Sequence, residues 1–443
     1  MKHNPRQMTL FNDARENIDY CNKTTSTFID NMKLPIHRWY RYSAGFSAKW
    51  VEKTILDILE NNQRDICCYS DFTVLDPFAG SGTTMLVANQ IGVSGCGFES
   101  HPLVAKIASA KLLWNVDVCI FKEFADSILQ SALDMDKEVD TYPEIIHKCY
   151  SEVSLSEIDK LKYALKQVTS DTSEYYLSWL AFIAILRPTS HVGTAQWQYV
   201  LPNKSKSKVL NVYDAYKKQV DLMCHDIDTF ASYAKGLTKK SIILQHDTRN
   251  PYKEMSDKVD LIITSPPYAN NYDYADATRL ELCILGDISG WSDLQHTVRS
   301  SLVRSCTQHV SKERPKTFDF LDESTLRPIR DDIFKVCKKL DEERHLHGGK
   351  KNYHTMIALY FLDLARVWIN LRELCKENSD VCFVVGDSAP YGIYVPVDEW
   401  LGRLAVAAGF QSFNFTKTRD RNIKWKNRKH SVPLKEGQLW VKG

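Results

Sequence analysis

An apolar strand, a glycine turn and a helix follow one another without a break near the start of the chain. Phe72 to Leu75 is apolar, Asp76 to Thr84 reads Asp-Pro-Phe-Ala-Gly-Ser-Gly-Thr-Thr, and Met85 to Gln90 has the composition of a helix. A βα unit of this kind binds a ligand at the carboxyl end of its strand. Gly80 and Gly82 permit positive φ and a close ligand approach. The unit predicts an α/β fold, although a generic α/β turn remains an alternative.

The glycine turn fits neither of the two commonest nucleotide-binding motifs. No lysine follows the glycines, as a Walker loop requires, and the third glycine of a dinucleotide fingerprint is missing. A second apolar segment, Gly95 to Phe98, ends in Glu99 about twenty residues on. An acid at this position commonly accepts hydrogen bonds from a ribose diol. We therefore expect a nucleoside-containing cofactor.

A second motif stands at the end of another apolar run, Val259 to Ile263. It reads Thr264-Ser265-Pro266-Pro267-Tyr268. The prolines lack N–H donors and fix φ, so the strand stops and the following loop is stiff. Such a loop holds a side-chain acceptor, a free carbonyl and an aromatic face around one small volume, which suits a planar base with an exocyclic amine. The alternative interpretation is a strand that ends in a proline-rich turn.

Together the two motifs resemble those of S-adenosylmethionine-dependent amino-methyltransferases that act on DNA. The resemblance implies that Thr264 to Tyr268 is the catalytic loop, with Ser265, Pro266, Pro267 and Tyr268 as catalytic residues. In that family an Asp or Asn before the prolines usually accompanies methylation of adenine N6. A Ser there more often accompanies methylation of cytosine N4.

The resemblance also implies the cofactor contacts. Leu34 to Val51 resembles the segment that closes over the cofactor, and Gln245 to Thr248 resembles the strand end before the catalytic loop. The implied cofactor-binding residues are Asp76, Phe78, Ala79, Gly80, Ser81, Gly82, Glu99, Asp247, Thr264, Ser43 and Phe46. Two of these roles have alternatives: Asp76 either binds the methionine ammonium or orders the turn as an Asx cap, and Asp247 either reaches the adenine amine or caps its strand.

The chemistry expected of the catalytic loop follows from the amine. An exocyclic amine is a poor nucleophile because its lone pair is conjugated into the ring. Acceptors for both of its protons, which we expect to be Ser265 Oγ and the Pro266 carbonyl, offset the charge that develops during transfer. Tyr268 is expected to stack on the extruded base. Methylation at cytosine carbon 5 is disfavoured, since no proline in the chain precedes a cysteine.

Composition limits the remaining classes of protein. The 443 residues are 44% hydrophobic and 25% charged, which is ordinary for a globular chain of two to three domains. No apolar run approaches the length of a membrane helix, and Met1 to Asn12 lacks the apolar stretch of a secretory signal. The twelve cysteines are scattered without a CxxC motif, which suits a reducing cytoplasm and no metal. The net charge of +2 does not itself indicate nucleic acid.

The apolar segments predict a doubly wound, seven-stranded, mostly parallel sheet of the Rossmann-like methyltransferase type. Strands are expected near residues 72, 95, 241, 259, 381, 413 and 439, the last one antiparallel through a terminal hairpin. We divide the chain into an N-terminal arm (1–30), the cofactor half of the core (31–119), a helical insertion (120–238), the catalytic half (239–284), a second largely helical insertion for target recognition (285–352) and the remaining core with a basic hairpin (353–443).

Basic residues indicate where double-stranded DNA would bind. Residues 411–443 contain nine Lys or Arg against two acids, with Trp425 among them, so we expect Lys424, Lys426 and Lys429 to face phosphates. Arg299 and Arg304 of the second insertion are expected to read bases. A solvated basic tail, and recognition by residues 120–238 instead, remain alternatives.

The sequence thus predicts a DNA cytosine-N4 methyltransferase of a restriction or defence system, with a partner protein possible. Two other interpretations stay open. One is an amino-methyltransferase for adenine N6 or an RNA base, and the other is a nucleic-acid binder without catalysis. The intact glycine loop and the intact Ser265 to Tyr268 motif favour an enzyme.

Overall fold

Seven strands form a single mixed sheet in the part of the chain that the structure describes. This computed structural model describes residues 28–42, 45–61, 69, 71–136, 140–168, 170–192, 208–233, 241–255, 257–421 and 432–443. The strands are β1 (Thr73–Asp76), β2 (Ser94–Glu99), β3 (Ile242–Gln245), β4 (Val259–Thr264), β5 (Cys375–Gly386), β6 (Ser412–Arg421) and β7 (Leu434–Lys442). Their order across the sheet is β3-β2-β1-β4-β5-β7-β6.

Strand direction divides the sheet into a parallel part and a terminal hairpin. β3, β2, β1, β4 and β5 pair in parallel. β7 runs antiparallel to both β5 and β6. The chain order reverses at β1, whose neighbours are β2 and β4, and ligands bind at such a reversal in open α/β sheets. The predicted α/β class, seven strands and antiparallel last strand are confirmed.

Fourteen α-helices accompany the sheet within the described residues. They are α1 (Ala48–Asn61), α2 (Thr83–Ile91), α3 (Pro102–Lys111), α4 (Val118–Leu133), α5 (Glu144–His147), α6 (Glu152–Gln167), α7 (Ser173–Ile185), α8 (Val212–Tyr233), α9 (Arg279–Leu285), α10 (Leu294–Thr297), α11 (Thr317–Phe320), α12 (Arg330–Leu346), α13 (Tyr353–Leu374) and α14 (Val397–Ala407). Short 3-10 helices lie at Phe28–Lys33, His37–Trp39, Asp276–Thr278, Arg299–Ser301, Ser311–Lys316, Ser324–Ile329 and Pro390–Gly392.

Two separate hydrophobic clusters cover the two faces of the sheet. On one face, alternate residues of β1, β4 and β5 such as Val74 and Leu261 pack with α1 and α2. On the other face, their neighbours Leu75 and Ile262 pack with α13 and α14. Alternation along a strand sends successive side chains to opposite faces, so a central strand of continuous apolar sequence is buried on both sides.

The segment before α1 is fastened to α8, far along the chain. Asp226 of α8 is fully buried. Its carboxylate accepts hydrogen bonds from the backbone N–H of Ile36, the guanidinium of Arg38 and the indole N–H of Trp39. Lys111 of α3, also buried, donates to the carbonyl of His37 at 3.1 Å. Residues 36–39 therefore have a fixed position against α3 and α8.

A search for membrane-spanning segments among the described residues found no helix that is long and apolar enough to cross a bilayer.

Candidate active site

Asp76 joins the glycine turn to the Ser-Pro-Pro-Tyr motif. It ends β1 and is fully buried. Its carboxylate accepts from Thr264 Oγ1 of β4 at 2.6 Å, from Thr84 Oγ1 of α2 at 2.7 Å and from the Phe78 N–H at 3.1 Å. Burial raises the pKa of Asp76 to about 6, although these donors oppose the rise. The contact with Phe78 is the Asx-type cap considered from the sequence.

Glu99 holds the glycine turn from the neighbouring strand. It ends β2 and is almost completely buried. Its two oxygens accept from the backbone N–H groups of Gly80 and His101, each at 2.8 Å. Burial raises its pKa to about 7. The carboxyl group therefore lies directly beside the turn, where a bound ribose was expected.

The turn itself is built on two left-handed glycines. Gly80 has φ 51°, and a Cβ there would lie 3.1 Å from the ring of Tyr42. Gly82 has φ 83° and precedes α2, and a Cβ there would lie 3.3 Å from Ala108. Both positions therefore need glycine for conformation and for space. The remaining residues predicted for cofactor binding in this turn are half-buried Phe78 and buried Ala79 and Ser81.

The catalytic motif follows β4, next to β1. Ser265 is half-buried, and its Oγ donates to the carbonyl of Val384 in β5 at 3.2 Å. Pro266 is buried, whereas Pro267 and Tyr268 are partly exposed. The guanidinium of Arg421, at the end of β6, lies 5.2 Å from the centre of the Tyr268 ring. Burial raises the pKa of the Tyr268 hydroxyl, so this ring is a neutral phenol at physiological pH.

The ends of four neighbouring strands bring the predicted site residues to one edge of the sheet. Asp247 follows β3, Glu99 ends β2, the glycine turn follows β1, and Ser265 follows β4. Since these strands are parallel, their carboxyl ends lie along the same edge. Neighbouring strands are about 4.8 Å apart, so the row extends over roughly 14 Å. Residues more than 180 positions apart in sequence thus form one linear site.

Asp247 is oriented by an arginine that sequence reasoning missed. Arg249 donates to both carboxylate oxygens of Asp247, at 2.7 to 3.1 Å. The same guanidinium reaches Asp363 of α13 at 3.4 Å. Asp363 is fully buried, and Arg304 and Arg249 hold its pKa below the ordinary value against the effect of burial. The end of β3 is thus connected to α13 by alternating charges, a pattern that only the fold brings together.

Two residues of the segment before α1, Phe46 and Ser43, were predicted to bind the cofactor. Phe46 is buried in the cluster under α1, with its ring edge on Trp50 at a centroid distance of 5.6 Å. That packing places its side chain in the hydrophobic core. Ser43 lies outside the described residues. Tyr42, noted only as part of the segment, is the residue whose ring covers Gly80.

The arginines expected to read DNA bases lie in buried ion pairs. Arg299 is 3% exposed, pairs with Asp273 at 2.6 Å and lies over the ring of Trp291 at 4.3 Å. Arg304 binds both oxygens of Asp363. Removing a partner from a buried pair is costly, so this geometry favours a structural role for both arginines over base reading. The sequence did not indicate these pairs, because each acidic partner lies 26 or more positions away.

The lysines predicted to face DNA phosphates, the strand ends that flank them and possible metal ligands also bear on the site. Lys424, Lys426 and Lys429 lie outside the described residues. The ends of β6 and β7 that flank them, Arg421 and Leu434, lie at the same sheet edge as the catalytic motif. Among the described residues, no group of three or more His, Cys, Asp or Glu side chains is placed to hold a metal ion.

Comparison with known proteins gives consistent matches. Residues 11–110 match a protein family described as a DNA methylase. The chain is 25% identical over 420 residues to the Type II methyltransferase M.AvaI of Nostoc sp. strain PCC 7120, with 87% of this chain and 81% of the relative covered. The protein of the same name from Anabaena variabilis gives the same values. The Type II methyltransferase M.BsoBI of Geobacillus stearothermophilus is 22% identical over 454 residues, with 92% of this chain and 84% of the relative covered.

No solved structure matches the chain significantly. The family match contains the glycine turn and Glu99, and the full-length relatives extend over both halves of the sheet edge described above. These similarities support a DNA methyltransferase.

Proposed function

We propose that this chain transfers a methyl group from S-adenosylmethionine to the exocyclic N4 of a cytosine flipped out of double-stranded DNA. The observation that carries the proposal is the row of strand ends. Asp247, Glu99, the glycine turn and Ser265 succeed one another along about 14 Å. This is the order in which an adenine, a ribose, a methionine and a methyl acceptor would follow.

Three features of the described residues support S-adenosylmethionine as the cofactor. Glu99 presents a buried carboxyl group for ribose hydroxyls, and the left-handed Gly80 and Gly82 fold the turn back against it, with the Tyr42 ring over Gly80. Asp247 is oriented by Arg249 and is positioned to accept from an adenine amine. The cofactor supplies an electrophilic methyl group, so the chain needs no nucleophilic side chain, only residues that bind and orient.

The hydrogen bonding of Ser265 supports its role as an acceptor. A hydroxyl has one proton, and that of Ser265 is directed to the carbonyl of Val384. The Ser265 and Tyr268 hydroxyls also share a hydrogen bond, so one lone pair of Oγ is left for an N–H group of a target amine. The Pro266 carbonyl would accept a hydrogen bond from the second N–H of the amine. Tyr268, with Arg421 on one side of its ring, would stack on the base.

Ser265 is the residue that favours cytosine over adenine as the methylated base. It supplies a neutral acceptor where an Asp would supply a charged one, and the resemblance associates this form with cytosine N4. The relatives named as Type II methyltransferases support a role in restriction-modification. From that role we infer a restriction or defence protein as a partner. We further infer that the sheet is doubly wound, with residues 120–238 and 285–352 as insertions into the methyltransferase core.

The base can be identified from DNA that the protein has modified in a cell. The gene is expressed in a host without its own DNA methyltransferases, and the digested DNA is analysed for methylated nucleosides by mass spectrometry. We expect N4-methylcytosine with the wild type and strongly reduced N4-methylcytosine with Ser265→Ala. N6-methyladenine in its place would overturn the base assignment and leave the enzyme class intact.

A further inference from the structure

A strained tyrosine lies beside the catalytic loop. Tyr391 follows β5, in the short 3-10 helix Pro390–Gly392, and has φ 53° and ψ 20°. A left-handed conformation is unfavourable for a residue that has a Cβ. The segment is anchored next to the site, because Ser388 Oγ donates to the carbonyl of Ala269, directly after the catalytic motif.

The ring of Tyr391 is held between two others from a different part of the chain. It stacks on His347, just after α12, with centroids 4.2 Å apart and planes at 4°. Its other contact is with the ring of Tyr353, at the start of α13. The two ring centroids are 4.8 Å apart and the ring planes meet at 84°. The strained backbone thus places an aromatic ring in a defined stack at the catalytic edge of the sheet. Strained backbone conformations cluster at binding and catalytic sites, so the conformation of Tyr391 indicates a functional role for its ring.

The loop that follows His347 is basic and solvent-exposed, whereas the acidic residues Asp341, Glu342 and Glu343 precede it and His347 itself pairs with Glu343 at 3.1 Å. The loop between α12 and α13 contains two left-handed glycines, Gly348 and Gly349, followed by the exposed Lys350 and Lys351. Leu346, directly before His347, is 78% exposed. No acidic residue lies in the sequence from 344 to 353. Exposed lysines, stacked rings and an exposed apolar side chain together match the chemistry of a nucleic-acid contact surface.

We propose that residues 345–353 and 390–394, here called the stacked-ring surface, contact duplex DNA beside the target base. Lys350 and Lys351 contact backbone phosphates, and the Tyr391–His347 stack supports a base or sugar exposed when the target leaves the helix. Arg299 and Arg304, which are used in buried pairs, have no part in this surface. The inference rests on the proposed function, since it takes DNA as the substrate.

The charge part of the proposal is tested with two matched double variants. Lys350→Ala with Lys351→Ala removes the proposed phosphate contacts, and Lys217→Ala with Lys218→Ala removes an adjacent, exposed pair on α8. Affinity for a DNA duplex is measured by fluorescence anisotropy over a range of salt concentrations. We expect the first pair to lower the log–log salt slope by up to about two and the second to leave it unchanged. An unchanged slope in the first pair, or an equal fall in both pairs, would overturn the proposal.

The ring part is tested with Tyr391→Gly and Tyr391→Phe. Glycine removes the ring and relieves the left-handed backbone, so the fold is retained, whereas phenylalanine keeps the stack. We expect glycine to weaken DNA binding about 5- to 150-fold and phenylalanine to bind like wild type. Equal affinities in all three proteins would contradict the role of the ring. Wild-type protein that binds DNA but transfers no methyl group would instead be a failure of the proposed function.

Discussion

Each buried carboxyl group of the site has several partners, and none acts through a single contact. Asp76 receives three hydrogen bonds, from the glycine turn, α2 and β4, and Glu99 receives two, from the glycine turn and from the backbone just after β2. Such side chains fix the distances between the cofactor side and the catalytic side. Ser265 differs because its hydroxyl has spare acceptor capacity.

Ser265→Ala should slow methyl transfer without changing the cofactor site. Loss of one positioned hydrogen-bond partner of the transition state typically costs about 2–4 kcal/mol, or roughly 30- to 1000-fold in rate. The rate is measured in single turnover, and the dissociation constant of S-adenosylmethionine is measured by calorimetry. A rate within about threefold of wild type would mean that Ser265 is not the acceptor.

Cofactor affinity should depend on pH through Glu99. Burial raises the pKa of this carboxyl group to about 7, and only its ionised form is a strong acceptor for ribose hydroxyls. Binding should therefore weaken as pH falls below about 7, approaching tenfold per unit, and level off above it. Calorimetry between pH 5.5 and 8.5, on the wild type and Glu99→Gln, provides the measurement. The variant should bind weakly without this dependence; an identical pH profile in both proteins would rule out Glu99 as its source.

At the scale of elements, one helix far along the chain positions the segment that covers the glycine turn. Asp226 of α8 accepts from residues 36, 38 and 39, and Tyr42, a few positions later, lies on Gly80. The helices before β3 therefore contribute to the cofactor side of the site through a buried carboxylate.

Asp226→Ala should destabilise the protein and loosen this segment. It leaves a backbone N–H, an indole N–H and a guanidinium without their acceptor, which should cost roughly 3 kcal/mol. The matched control is Asp221→Ala on the same helix, which breaks only an exposed pair with Lys122 and should cost less than about 1 kcal/mol. Urea unfolding measures both. Similar decreases in the free energy of unfolding in the two variants would show that Asp226 does not hold this segment in place.

The elements that sequence predicted well are those with a continuous apolar pattern. The strands that carry the two motifs agree with expectation to within about a residue. Strand β5 was expected near 381 but begins at Cys375, because Cys375 already pairs with Val259 of β4 ahead of an irregularity in the register. The pairs Arg299–Asp273 and Arg304–Asp363 and the stack of Arg421 on Tyr268 could not be predicted. Their members come together only through tertiary contacts.

For the molecule as a whole, we expect recognition and catalysis to occupy different parts of the chain. Residues 298–307 are tied to the core by Arg299, Arg304 and the contacts of Asn271 with 305 and 307. The later part, residues 311–352, contains α12 and the basic loop of the stacked-ring surface. We therefore expect sequence recognition to depend on this later part.

Exchanging residues 311–352 for the aligned segment of a relative with a different target should change the methylated site. Cofactor affinity should stay the same, because Arg249, Asp247 and Glu99 are outside the exchanged part. Sequencing of methylated DNA identifies the sites. If the exchanged protein still modifies the original sequence, recognition belongs to another region, and residues 120–238 would be exchanged next.

We propose that the two motifs at the sheet edge carry out methyl transfer to an exocyclic amine of DNA, and this transfer can be measured directly. Purified protein is incubated with duplex DNA and S-adenosylmethionine that carries a deuterated methyl group, and the DNA nucleosides are analysed by mass spectrometry. We expect the label on the N4 nitrogen of cytosine with the wild type, and at least about 30-fold slower labelling with Ser265→Ala. Label on a ring carbon, or no label from folded protein that binds both the cofactor and DNA, would contradict this proposal.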